Sequence, residues 1–350
     1  MIPLSLLLAA CTTAPIGSGD DPLSDCVSAT HLVATTTDYA VGAIATLDLA
    51  TLELADDRAP TSGDPNIAVE GCAVYQLNRG LGDSVRVYSP GHWSAPDVEF
   101  ALPEANPHAV VPVDDTLWIS AFDRAELLHV DATGAPLASV DLSAWADADG
   151  LPEADALLRD GDRLALALQR LDRGAGWVSD GGVIVWLDPA TGLLGDQVHT
   201  GPNPRLYRRG DGFLILVGHL TALDGEVALL ASSTATPVAQ WTEQDLGEIA
   251  LDYAELGDVG LLLTAAPGDY GTTARCVDWR TGELVGSWHT DAWIASLAFD
   301  RPDRAWLALR PSWGEVPGPS GLLPFDPQAC EPLQSEPLAT HLPPYDLAVY

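Results

Sequence analysis

The chain has 350 residues, 47% of them hydrophobic, so it can bury a sizeable core as one large all-β domain or two ordinary ones and is not a disordered chain. Fifty Asp and Glu stand against 16 basic residues, all of them Arg, and the formal net charge is -34. That balance excludes nucleic acid as a partner, because such binding begins with Lys and Arg neutralising phosphates; the acid itself reads as a solvated surface.

The first eleven residues, MIPLSLLLAAC, form an apolar run too short to span a bilayer and end in small residues before a cysteine. Leu8, Ala9, Ala10 and Cys11 resemble the lipobox of a bacterial lipoprotein signal peptide. The resemblance implies that residues 1–10 are cleaved, that Cys11 is lipidated and anchors the protein in a membrane, and that the polar residues 11–25 are a flexible tether. Asp does not follow Cys11, which in that resemblance implies the outer rather than the inner membrane of the cell envelope. Residues 26–350 are expected to form one domain. The four remaining cysteines, Cys26, Cys72, Cys276 and Cys330, predict two disulfides; of the three pairings, Cys26–Cys72 and Cys276–Cys330 join residues nearer in the chain. No CxxC pair exists and the histidines are scattered, against a zinc site.

Through the rest of the chain an apolar strand, an Asp, a small turn and a second strand recur at intervals of about 45 residues. The copies are IATLDLATLEL at Asp48, LLHVDATGAPLASV at Asp131, VIVWLDPATGLL at Asp188, RCVDWRTGELVGSW at Asp278 and LLPFDPQACEPL at Asp326. Degenerate copies, VRVYSPGHWSAPDVEF and VALLASSTATPVAQW, fall between them. Asp and Thr cap such turns through their side chains, and Gly takes positive φ without strain. Each copy is preceded by a turn and a short apolar strand, clear in DPNIAV, NPHAVVPV and NPRLY and looser in PEADALL, LGEIAL, DAWIASLAF and PPYDLAVY. A further strand follows that one, as in DDTLWISA, GDRLALAL, GDGFLILVG and DRAWLAL. The stretch DLSAWADADGLPEADALL, broken by Gly150 and Pro152, is expected to be loop with a turn of helix.

Four strands per unit in meander order predict an all-β, seven-bladed β-propeller of four-stranded antiparallel blades; six or eight blades are the alternative if the degenerate copies near Tyr88 and Leu230 are miscounted. The terminal PPYDLAVY would be an unpaired edge on its own. It is predicted to be the innermost strand of a blade whose other strands are HLVATTT, AIATLDL and one around Leu52–Leu54, which closes the ring.

The NP turns at Asn106-Pro107 and Asn203-Pro204, with the VDATG and LDPATG turns, resemble the bacterial propellers built from forty-residue repeats of the YVTN type, over roughly residues 25–350. The resemblance implies architecture and envelope location; the group has no single activity.

The leading ends of the inner strands ring one mouth of a propeller's channel. Here they carry Asn66, His108, Asp155, Arg205, Glu248, Trp293 and Tyr345, a mixed polar set with two aromatics that suits a small-molecule or peptide ligand. His108 with Asp155 or Glu248 would serve as an acid/base pair if the fold brought them within reach. Asp147, Asp149 and Glu153 crowd carboxylates as a structural calcium site would, without full EF-hand order. Trp177 on the glycine-rich insertion 170–182 is either a partner contact or packed on its own blade, whereas Trp118, Trp186, Trp279 and Trp306 read as strand residues buried between blades. No nucleophile elbow, phosphate loop or dinucleotide fingerprint is present. These readings point to a monomeric, lipid-anchored scaffold that binds a protein or small molecule, with a lactonase-like propeller hydrolase or lyase as the alternative and no cofactor beyond a structural calcium.

Overall fold

The computed structural model describes residues 30–80, 82–269, 271–311 and 319–350. The expected signal peptide and tether, with Cys11 and Cys26, lie outside them. The described chain forms seven four-stranded antiparallel sheets, the predicted seven blades. Blade 1 is assembled from both ends of the chain, with Pro344–Val349 innermost, followed by His31–Thr37, Gly42–Asp48 and Leu54–Thr61. The inner strands of blades 2 to 7 are Pro65–Glu70, Pro107–Val113, Ala154–Asp160, Arg205–Arg209, Ile249–Leu256 and Trp293–Arg301. Each touches its two neighbours, and Pro344–Val349 completes the circle between Trp293–Arg301 and Pro65–Glu70.

Sequence pattern explains each layer. Second strands such as Arg163–Leu168, RLALAL, are buried over nearly their whole length because a blade covers each face, whereas outer strands such as Glu283–Thr290 alternate exposed and half-buried residues. Seven apolar clusters fill the interfaces between adjacent blades. Trp118, Trp186 and Trp306 are among the largest fully buried side chains in them. Trp279 departs from expectation: it lies just past Thr272–Asp278 in the turn, still buried, tilted against Trp241 with the Arg209 guanidinium 4.0 Å over its ring.

In the five blades that keep it, the repeated Asp organises the turn leading to the outer strand. Asp48 Oδ1 accepts from the amides of Ala50 and Thr51, Asp131 Oδ1 from Thr133 and Ala135, and Asp326 Oδ1 from Gln328 and Ala329. At Gly134, φ is +85° and an added Cβ would lie 2.0 Å from Phe100 Cγ of the preceding blade, so the turn can nest there only as glycine. The degenerate copies prove to be ordinary blades, which settles seven against six or eight. The DLSAWADADG segment makes one short 3-10 turn, Ser143–Trp145. A four-residue helix at Glu243–Leu246, absent from the sequence reading, is capped by the Thr242 hydroxyl and ended by left-handed Gly247.

Cys276 and Cys330 form the expected disulfide, tying the third strand of blade 6 to the turn before the outer strand of blade 7. Cys72 is also disulfide-bonded; Cys26, the partner expected for it, is outside the described residues.

Candidate functional site

The inner strands present a polar lining to the channel, and its best-ordered part spans three consecutive blades. Asn66 Nδ2 donates to the His108 carbonyl at 3.2 Å, and His108 Nδ1 lies 2.8 Å from Asp155 Oδ1. The second Asp155 oxygen accepts from Gln169 Nε2 at 2.8 Å, and the His108 ring stacks on Phe122 with centroids 4.2 Å apart. Pairing with a carboxylate places the proton on Nδ1 and leaves Nε2 as the basic atom of the ring. The side chains of His108 and Asp155 are 13% and 23% exposed. Burial raises the Asp155 carboxyl, but the hydrogen bond and charge of His108, with Arg79 and Arg205, bring it below the usual carboxylate range.

The other expected mouth residues divide. Arg205 is turned to the next inner strand, donating to the carbonyls of Leu251 and Ala250; its charge still reaches Asp155. Tyr345 accepts from Arg79 Nη2 at 2.8 Å and packs edge-on to Tyr39. Glu248 stands apart from the His108–Asp155 pair: its carboxylate is taken up within blade 6 by Thr264, Thr273 and Arg275, at 2.8 Å from Arg275 Nη2. Burial raises it, yet these three partners hold it below its ordinary value. Trp293 is half-buried and pairs across the ladder with Arg310. Asp147, Asp149 and Glu153 do come together, and Trp177 is 53% exposed with Arg173 5.1 Å over its ring.

Two channel carboxylates were missing from the sequence reading. Asp346 Oδ2 accepts from the Ile67 amide and Oδ1 from the Ser296 hydroxyl, both at 2.9 Å, which joins blades 1, 2 and 7. Asp252, which accepts a hydrogen bond from Tyr207, is pushed by burial, with some repulsion from Asp346, up to about 6. Burial raises Asp346 as well. Both sit beside β-bulges, between Ala250 and Asp252 and opposite Thr35/Thr36, which shift the register by one residue. A single Asp inside the apolar strands EIALDYAEL and PPYDLAVY is the signal that could have marked them.

Chemically, the lining offers one acid/base pair, two guanidinium groups, two carboxylates titrating higher than usual and two phenols, a set suited to a polar ligand rich in hydroxyl or carboxyl groups. Clefts also lie elsewhere, one on the flank of blade 5 at His199, Ile215 and Pro237, another against blade 2 at Pro60, Asn78 and Phe100.

No family model matches the chain, and no curated protein matches it in sequence. Solved structures do match in fold. A periplasmic gluconolactonase, PpgL, of Pseudomonas aeruginosa is 15% identical with a TM-score of 0.64, covering 91% of this chain and 98% of its own. A 6-phosphogluconolactonase candidate from Bacteroides fragilis is 14% identical with a TM-score of 0.63, covering 94% and 100%. The dihydro-heme d1 dehydrogenase NirN is 16% identical with a TM-score of 0.54, covering 96% and 77%. At these identities the likeness establishes the seven-bladed fold alone.

Proposed function

We propose that this propeller is a binding protein for a small, polar, hydroxyl- or carboxyl-bearing ligand at the channel mouth, held to the bacterial envelope by a lipid on Cys11. The observation that carries the reading is the His108 ring, held by Asp155 of the next blade, which Gln169 fixes in turn, and by Phe122 of its own blade, while Asn66 of the preceding blade holds the His108 carbonyl. A side chain held by partners from separate blades is pre-organised, and pre-organisation lowers the cost of binding. The anchor reading rests on the LAAC resemblance, in which the residue after Cys11 favours the outer membrane, and the protein is taken to act as a monomer.

The test is calorimetric titration of the full chain with a panel of aldonic acids and sugars, repeated with His108→Ala. Saturable binding that weakens at least tenfold in the variant supports the site; no binding across the panel, or binding indifferent to His108, removes it. Labelling of cells with a palmitate analogue, lost in Cys11→Ser, checks the anchor.

One observation favours a second reading, hydrolysis of a lactone or ester. A histidine with its Nδ1 proton donated to a half-buried carboxylate can draw a proton from water through Nε2, and two of the similar folds bear lactonase names. Turnover of gluconolactone above the spontaneous rate, abolished by His108→Ala, would put the hydrolase first; a rate equal to the spontaneous one leaves the binding reading alone.

A further inference from the structure

We propose that Asp147, Asp149 and Glu153 bind a calcium ion that staples the loop entering blade 4 to the insertion at residues 170–182. Each of the three offers a carboxylate oxygen within 4.8 Å of the other two. Crowded surface carboxylates alone would say little; Glu153 supplies the independent observation. Its side chain is 0% exposed. Oε2 accepts from the Leu171 amide at 2.9 Å, while Oε1 is buried among these groups with no hydrogen-bond partner. Asp147 Oδ2 is likewise buried and unpartnered. Leaving a buried charged oxygen without a partner is costly, so two in one cluster point to a missing positive centre.

Arg173 does not fill that role. Its Nε lies 3.6 Å from Glu153 Oε1 and 4.0 Å from Asp149 Oδ2, makes no hydrogen bond itself, and its Nη2 is engaged by Asp123. One guanidinium is thus shared among Asp123, Asp149 and Glu153, and negative charge remains in excess around it. The donors are all carboxylate oxygens, with no His or Cys in the group, which selects a hard cation over zinc or copper. A loop held by its own turns, with the Asp149 amide on Asp147 and the Leu151 amide on Asp149, has the adaptable geometry calcium accepts, whereas magnesium demands a near-ideal octahedron.

The ion's place in the fold gives it a task. Glu153 immediately precedes the inner strand Ala154–Asp160, which presents Asp155 to His108, and the Arg173 amide donates to Asp149 from the insertion. Calcium would thus fix both the strand end and the insertion. This holds whether or not the channel takes the ligand proposed above.

The full chain, stripped with chelator, is titrated with calcium chloride by calorimetry. The expected result is one ion per chain, a melting temperature raised by several degrees, and tryptic cleavage after Arg173 slowed several-fold. Asp149→Asn, at an exposed position, and Glu153→Gln should each weaken the affinity at least tenfold. Terbium, excited through the protein's tryptophans, should bind the wild type and be displaced by calcium. Absence of saturable binding at millimolar calcium, unchanged affinity in both variants, or magnesium binding as tightly would overturn the proposal. Should Glu153→Gln not fold, Asp149→Asn and Asp147→Asn decide it by the same criteria.

Discussion

His108 Nδ1 and Asp155 Oδ1 stand 2.8 Å apart across 47 residues of chain, because both lead inner strands of adjacent blades. Asp155 uses both oxygens, one toward His108 and one toward Gln169. Asp155→Asn keeps the shape but replaces one acceptor by a donor facing a donor, which costs about 1–3 kcal/mol for the unsatisfied pair. Urea unfolding should show a loss in that range, with Asp155→Ala no milder; a change within error would mean that the pair is not formed in solution.

Asp252 titrates near 6 rather than 3.8 because it is buried. The folded protein therefore holds this proton more tightly than the unfolded chain. Its stabilising effect is complete below about pH 4 and is lost as the pH rises through about 6, by up to about 3 kcal/mol. Asp252→Asn cannot ionise, so it should gain stability over the wild type at pH 7 and not at pH 4. Melting curves at the two values check this, and parallel pH profiles of the two proteins would refute it.

The disulfide between Cys276 and Cys330 closes a loop across 54 residues between blades 6 and 7. Restricting the unfolded chain in this way is worth about 2–4 kcal/mol. Cys276→Ser with Cys330→Ser should lower stability by that amount in oxidising buffer, and in reductant, which also opens the bridge at Cys72, the wild type and the double variant should converge.

Removal of residues 344–350 takes away the inner strand of blade 1. It strips Leu347 from the interface with blade 7 and bares the ladder on His31–Thr37. An uncovered edge pairs with other chains. The truncated protein should lose its single cooperative melting transition and elute in aggregated fractions on size exclusion, whereas Leu347→Ala, which keeps the backbone ladder, should remain monomeric and lose about 2–4 kcal/mol.

The fold was legible because its causes are local and repeated. The Asp-capped turns at Asp48, Asp131, Asp188, Asp278 and Asp326 are set by residues within a few positions, and copies about 45 residues apart announce a blade each. Ring closure by PPYDLAVY was legible too, since an apolar terminal strand needs a partner and the first unit lacked an inner one. The mouth was only partly so. Asn66, His108 and Asp155 could be aligned by counting from each turn, and they do form one chain of contacts. The same count pointed to Glu248, whose carboxylate turns instead to Arg275 within its own blade, and passed over Asp252 and Asp346, which stand beyond bulges.

The sequence by itself determined the strands and their four-strand grouping, for hydrophobic alternation and turn chemistry act over a handful of residues, while the structure settled the number of blades at seven. Only the tertiary structure decided which polar side chains share the channel and which oxygens of the Asp147–Asp149–Glu153 cluster lack a partner. Those facts depend on distances between strands far apart in the chain, on single-residue register shifts, and on burial, which raises Asp252 and Glu153 while letting neighbouring charges hold Asp155 low.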